Sequence, residues 1–186
     1  MPILGIYASS MQPALNASSF ESIATVTVGA GGSSSITFSS IPSTYKHLEI
    51  RGIGRIASGA EAVLMQFNSD TGNNYAIHYL MGNGSAASAG ASTTRSSMGL
   101  FWGMGIPSGA STFGAAVVSV LDYANTNKYK TIRSLDGYDA NGTGAIELAS
   151  GLWQSTSAVS SITLTPNSSA VFQQYSSFAL YGIKGA

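Results

Sequence analysis

Between Ser35 and Ile56 the chain carries two alternating runs, Ile36/Phe38 and Leu48/Ile50, joined by Ile-Pro-Ser-Thr. A period of two puts these four side chains on one face of a pleated sheet, with Thr37, Glu49 and Arg51 on the other. Pro42 fixes φ and has no N–H to give a ladder, so the chain must turn there. Ile36, Phe38, Leu48 and Ile50 are therefore expected in a core. His47 and Arg51 are expected to do no chemistry.

The same period recurs along the chain. Ala24, Val26 and Val28 alternate with Ile23, Thr25 and Thr27, and Gly29-Ala-Gly-Gly then leads to Ile36–Phe38 in what reads as a hairpin. Val63–Phe67 follows, then a polar loop at 68–74, then Tyr75, Ile77, Tyr79 and Met81 on one face with His78 on the other. Residues 82–97, GNGSAASAGASTTRSS, have small side chains and low complexity and read as a long flexible loop. Further strands are expected at Leu100/Trp102/Met104, Phe113–Tyr123, Tyr129–Leu135, Ile146–Trp153, Val159–Thr165 and Phe178–Ile183. No stretch longer than about ten residues shows a capped helical period. The prediction is an all-β chain forming a single antiparallel β-sandwich over residues 20–186, with jelly roll the preferred winding.

Residues 1–19 stand apart, with no charge and no clear period. The plain reading is a loose terminal arm. The functional reading is a docking arm, in which Ile3, Leu4, Ile6 and Tyr7 insert into a neighbouring protein, since an exposed apolar cluster is otherwise an aggregation hazard.

Composition narrows the setting. Charged residues are 9% of the chain, against about a quarter in an ordinary globular protein. The hydrophobic share is an ordinary 44%, so hydroxyl and small residues have replaced charge. Such a surface suits a protein packed beside copies of itself or working outside a cell. Eight basic and eight acidic residues cancel, which leaves no electrostatic footprint for nucleic acid or an anionic membrane. The uncharged stretch Ser96–Leu121 is interrupted by Gly, Ser and Pro107 and is not read as a membrane insertion. There is no cysteine, hence no disulfide, thiolate site or cysteine nucleophile, and Met1-Pro-Ile-Leu lacks the basic start of a secretory signal.

No active site is legible. His47 and His78 have no acid or second histidine at metal-ligand spacing, and there is no Gly-x-Ser-x-Gly elbow. DGYDANGTG brings Asp136, Asp139 and Asn141 together, yet from Asp139 it puts Gly at the fourth place and Glu147 at the ninth. That fails the calcium-loop pattern and reads as a turn. Asp122 and Glu147 lie within strand-like runs and are expected to pair with Lys128, Lys130 or Arg133. Tyr123, Tyr129, Tyr138 and Trp153 would serve as sugar platforms but are more simply core and interface. Gly29-Ala-Gly-Gly opens no helix, which excludes a phosphate cradle. The expectation is a non-enzyme with no catalytic residue, no metal and no cofactor.

Four strings carry a resemblance: SFESIATVTVGAGGSSSITFSSIPSTYKHLEIRG, LMQFNSDTGNNYAIHYL, LDYANTNKYKTIRSLDGYD and YSSFALYGIK. Together they span roughly residues 19–184 and resemble a family of tailed-bacteriophage virion surface proteins, the β-sandwich modules of tail fibres and other appendages. The opening PILGIYASS is similar to the leader of those proteins. The resemblance implies a structural virion protein, a tail-fibre or baseplate-fibre component with a role in host attachment, or else a capsid decoration protein stabilising the head. It implies a homotrimer, contacts with other tail, baseplate or major capsid proteins, and a host surface glycan bound by loops 68–74, 82–97 and 136–145. It also implies localisation to a virion assembled in the host cytoplasm and released by lysis. The family offers no catalytic residue to carry over.

Overall fold

A computed structural model describes residues 19–56, 62–100, 111–167 and 170–185. The proposed docking residues Ile3, Leu4, Ile6 and Tyr7 lie outside them, as do Trp102 and Met104. The described residues form twelve strands and no α-helix: β1 Phe20–Thr27, β2 Ile36–Phe38, β3 His47–Gly54, β4 Val63–Phe67, β5 Tyr75–Gly82, β6 Ala87–Arg95, β7 Met98–Leu100, β8 Gly114–Leu121, β9 Lys130–Asp139, β10 Gly144–Trp153, β11 Ile162–Pro166 and β12 Ser177–Ile183. Every pairing is antiparallel. One sheet has eight strands in the order β1-β12-β3-β8-β9-β10-β5-β6, and the other has four in the order β2-β11-β4-β7. The two sheets share one core, so the chain is an antiparallel β-sandwich. A jelly-roll winding is not established by this order.

Ile36 and Phe38 enter the core from the small sheet, Leu48 and Ile50 from the large one, and all four are buried. The proline segment is thus a crossover between sheets. Ile41 N–H donates to Ser160 O at 3.0 Å and the Tyr123 hydroxyl donates to the carbonyl of Pro42, which fastens the crossover. Phe67 and Trp153 lie 5.3 Å apart between ring centroids, with Tyr75 stacked 6.4 Å from Trp153. Truncating one such ring would cost about 3–5 kcal/mol.

Two expectations are corrected. The β1–β2 hairpin does not form: β1 pairs with β12 and β2 with β11. The glycine-rich link crosses between sheets, and its close approach to another strand explains its composition. Gly32 has φ +70°, and a Cβ there would lie 2.9 Å from Phe172 O; Ser33 and Phe172 exchange backbone bonds of 3.0 and 2.8 Å beside it.

The flexible loop at 82–97 is also overturned. Its larger part is strand β6, which runs along β5 at the sheet edge with His78 opposite Ala91 and Leu80 opposite Ala89. An edge strand touching no core gives no hydrophobic period to read. Its small residues have a packing reason: a Cβ on Gly90 would come within 2.6 Å of the Tyr79 ring.

Candidate interaction face

Loops at one end of the sandwich use their polar groups internally. Asp70 Oδ2 accepts from Trp153 Nε1 at 2.7 Å and from Asn74 Nδ2 at 2.9 Å, while Oδ1 accepts from Gly72 N–H at 2.8 Å. The indole bond above all, then those to Asn74 and Gly72, hold the Asp70 carboxyl below its usual pKa. Tyr75 receives the Phe67 N–H at 3.0 Å and donates to Asp70 O at 3.1 Å; burial pushes its hydroxyl up to about 12. Asn68 accepts from Ser160 and Ser161 N–H and donates to Ala158 O. The 68–74 loop, expected to present binding groups outward, is therefore fastened inward.

Lys130 completes this end. It is fully buried, and its ammonium lies within 3.5 Å of four carbonyl oxygens, those of Asn125, Lys128, Ser155 and Thr156. Burial first, and the charge of Lys128 second, lower its pKa. On the surface nearby, Asp122 binds Lys128 and lies 2.9 Å from Lys46, contacts that bring its carboxyl down to about 2. The expected Asp122–Lys128 pair thus forms. His47 Nδ1 accepts the Asp122 N–H at 2.9 Å, a structural use of the ring.

Glu147 does not find the cation expected for it. It stands directly opposite Asp136 across the β9–β10 ladder, and both side chains point into the sandwich with 1% and 3% exposure. Neither Glu147 oxygen has a hydrogen-bond partner among the described residues. Burial, then the neighbouring Asp136 carboxyl, push the Glu147 pKa up to about 8. Two acids this closed to solvent cannot meet a glycoside held at the surface. Asp136 also belongs to the strand and not to the turn; the turn itself is formed by Asp139 accepting from Asn141 N–H at 2.8 Å, with Asn141 and Gly142 at positive φ. No group of three or more metal-ligating side chains occurs among the described residues. Of the candidate aromatic platforms, Tyr123 and Trp153 are buried in the core, while Tyr129 is exposed and Tyr138 half-buried.

Beside the acids, Ile132 and Trp153 also face the core, yet β9 and β10 turn three large apolar residues outward. Leu135, Ile146 and Leu148 are 50%, 58% and 53% exposed. The ladder registers carry the pattern across neighbouring strands in two rows. One row reads Arg51, Val117, Leu135, Leu148, Leu80 over β3, β8, β9, β10 and β5. The adjacent row reads Ile53, Ala115, Gly137, Ile146, Gly82. Sequence reasoning placed these strands but missed their inversion, because alternation alone does not say which parity faces in. The signal available was Glu147 sharing a parity with Ala149 and Trp153, and Asp136 with Ile132.

This apolar belt has a relief. A cleft of about 720 Å³ runs over Ala115 and Gly137, walled by Phe113, Val117, Leu135 and Ile146. Charge is confined to its margins. Arg51 Nε lies 2.8 Å from Glu49, and its guanidinium covers the rings of Phe20 and Tyr181 at 5.5 Å each. Along the outward side of β9 the order is Arg133, Leu135, Gly137, Asp139, with both charged residues exposed and neither in an ion pair among the described residues. The six large belt residues expose on the order of 600 Å² of apolar surface, the upper end of what a solitary soluble protein tolerates in one patch. Such a face can bind another surface.

No protein family, curated protein or solved structure matches this chain.

Proposed function

We propose that the chain is a structural protein of a tailed-bacteriophage virion, a tail-fibre or baseplate-fibre component that contributes to host attachment, and not an enzyme. The observation that carries this reading is the apolar belt on the outer face of a rigid sandwich, which fits a protein that works by packing against other chains. The low charge and the sequence resemblance point the same way. Contacts with other virion proteins, a host glycan bound at loops on this scaffold, and docking through residues 1–19 belong to the same proposal.

Capsid decoration is the second reading. It is favoured by the described residues forming one compact sandwich with no shaft-like repeat. Quantitative mass spectrometry of purified particles tests both. Tens of copies per particle support the appendage, hundreds support decoration, and absence from the particle overturns the proposal. Host attachment fails on its own if the isolated protein neither binds host cells nor competes with phage adsorption.

A further inference from the structure

The belt carries the order of its own partner. The rows Arg51-Val117-Leu135-Leu148-Leu80 and Ile53-Ala115-Gly137-Ile146-Gly82 exchange places under a half-turn about an axis lying across the strands at the level of Asp136. Under that operation Leu135 of one copy meets Gly137 of the other, Val117 meets Ala115, and Leu80 meets Gly82. Large residues fall over hollows three times, and Ile146 meets Leu148. On β9 the same half-turn brings Arg133 opposite Asp139. The two charges stand six residues apart, roughly 20 Å at the strand rise, one on each margin of the belt. A chain with eight charges of each sign has no net repulsion from its copy.

We propose that two copies of this chain pair face to face through the outer surface of the eight-stranded sheet, with strands antiparallel, Leu135 of each seated over Gly137 of the other and Arg133 of each facing Asp139 of the other. Sheets packed this way lie about 10 Å apart with their strands nearly aligned, which allows the ridges to interdigitate. Covering both belts buries on the order of 1,200 Å², the lower end of specific interfaces, so the pair is specific but dissociable. This rests on the self-associating part of the virion reading and not on the virion itself. It gives a two-fold unit in place of the three-fold assembly that the resemblance implied.

The test is sedimentation equilibrium of the full chain from about 1 to 200 μM, with circular-dichroism melts to confirm folding. The expected mass at the upper end is that of two 19.0 kDa chains. Leu135→Glu/Leu148→Glu is expected to sediment as one chain throughout, with association weakened at least about 100-fold. Leu135→Thr/Leu148→Thr keeps strand-forming residues and is expected to act in the same direction if the glutamates disturb folding. Arg133→Glu and Asp139→Arg are each expected to weaken pairing about tenfold, and the two together to restore it to within about threefold of the parent. A single-chain or three-chain mass for the parent, unaffected variants, or a charge swap without rescue would each overturn the pairing. Particle mass spectrometry reads the virion proposal separately, so the two can fail independently.

Discussion

The pair β4–β11 in the small sheet and the pair β9–β10 in the large one are built from the same alternation and resolve it differently. In the first, Val63, Met65, Phe67, Ile162 and Leu164 fill the core, while Gln66, Thr163 and Thr165 face outward. Gln66 Nε2 donates to Ser96 O at 2.8 Å, and the Thr163 hydroxyl lies 3.3 Å from that of Thr37, so this outer surface looks after its own polar groups. In the second, Lys130, Ser134, Asp136 and Glu147 face inward among Ile132, Ala149 and Trp153, and Leu135, Ile146 and Leu148 face out. Burying an unpaired carboxyl is costly. A strand pair that accepts this cost and exposes leucine is what the proposed pairing of two copies would require. Lys130 and Glu147, two of the buried ionisable residues on these strands, add a second contrast. Four loop carbonyls surround the Lys130 ammonium, whereas Glu147 has no such cage and burial pushes its pKa up to about 8.

The largest effect that would break this contrast is at Glu147. Its folded pKa of about 8 stands above the ordinary value of 4.5, so the neutral acid is favoured in the folded protein. The stability from this group is fully present below about pH 4.5 and is lost as pH rises through about 8. Glu147→Gln should match the parent near pH 4.5 and exceed it above pH 8 by on the order of 3 kcal/mol, read by urea unfolding across that range. A constant difference at every pH would mean that Glu147 is not held neutral. Asp122 works in a separate window: its lowered pKa contributes stability above about 3.8 that disappears as pH falls through about 2.

Next in size is Lys130→Met, which strips the donor from four carbonyls and unfastens the 125–128 and 155–156 segments from the core. A loss of about 2–3 kcal/mol is expected, visible as a fall of several degrees in the melting temperature. A neutral result would show the carbonyls to be satisfied by water instead.

Much of the fold is legible in the sequence. Alternation locates the strands around Leu48, Met65, Tyr75, Val118 and Leu180, because their apolar parity faces the one core the chain makes for itself. It fails for β6, where small residues at an edge meet no core. It also fails at Gly29–Ser35, where the glycines serve a crossover beside Phe172 and not a hairpin. The candidate face stays hidden for a related reason. In β9 and β10 Leu135, Ile146 and Leu148 take the outward parity, and only the ladder registers show that Val117, Leu135, Leu148 and Leu80 lie side by side.

The smallest expected effect sharpens the contrast from the other side. Thr163→Glu places a charge on the outer face of the small sheet, where it should change stability by under about 1 kcal/mol and leave the sedimentation mass unchanged. A Thr163→Glu chain that no longer associates would move the contact surface to the wrong sheet.

The most direct measurement is the relaxation of methyl resonances by a soluble gadolinium chelate at low and high protein concentration. The Leu135 and Leu148 methyls should be relaxed strongly in dilute protein and shielded in concentrated protein, while those of Thr163 stay accessible at both. Equal accessibility of Leu135 and Leu148 at every concentration would contradict the account, because the outward leucines would then be covered by no second copy of the chain.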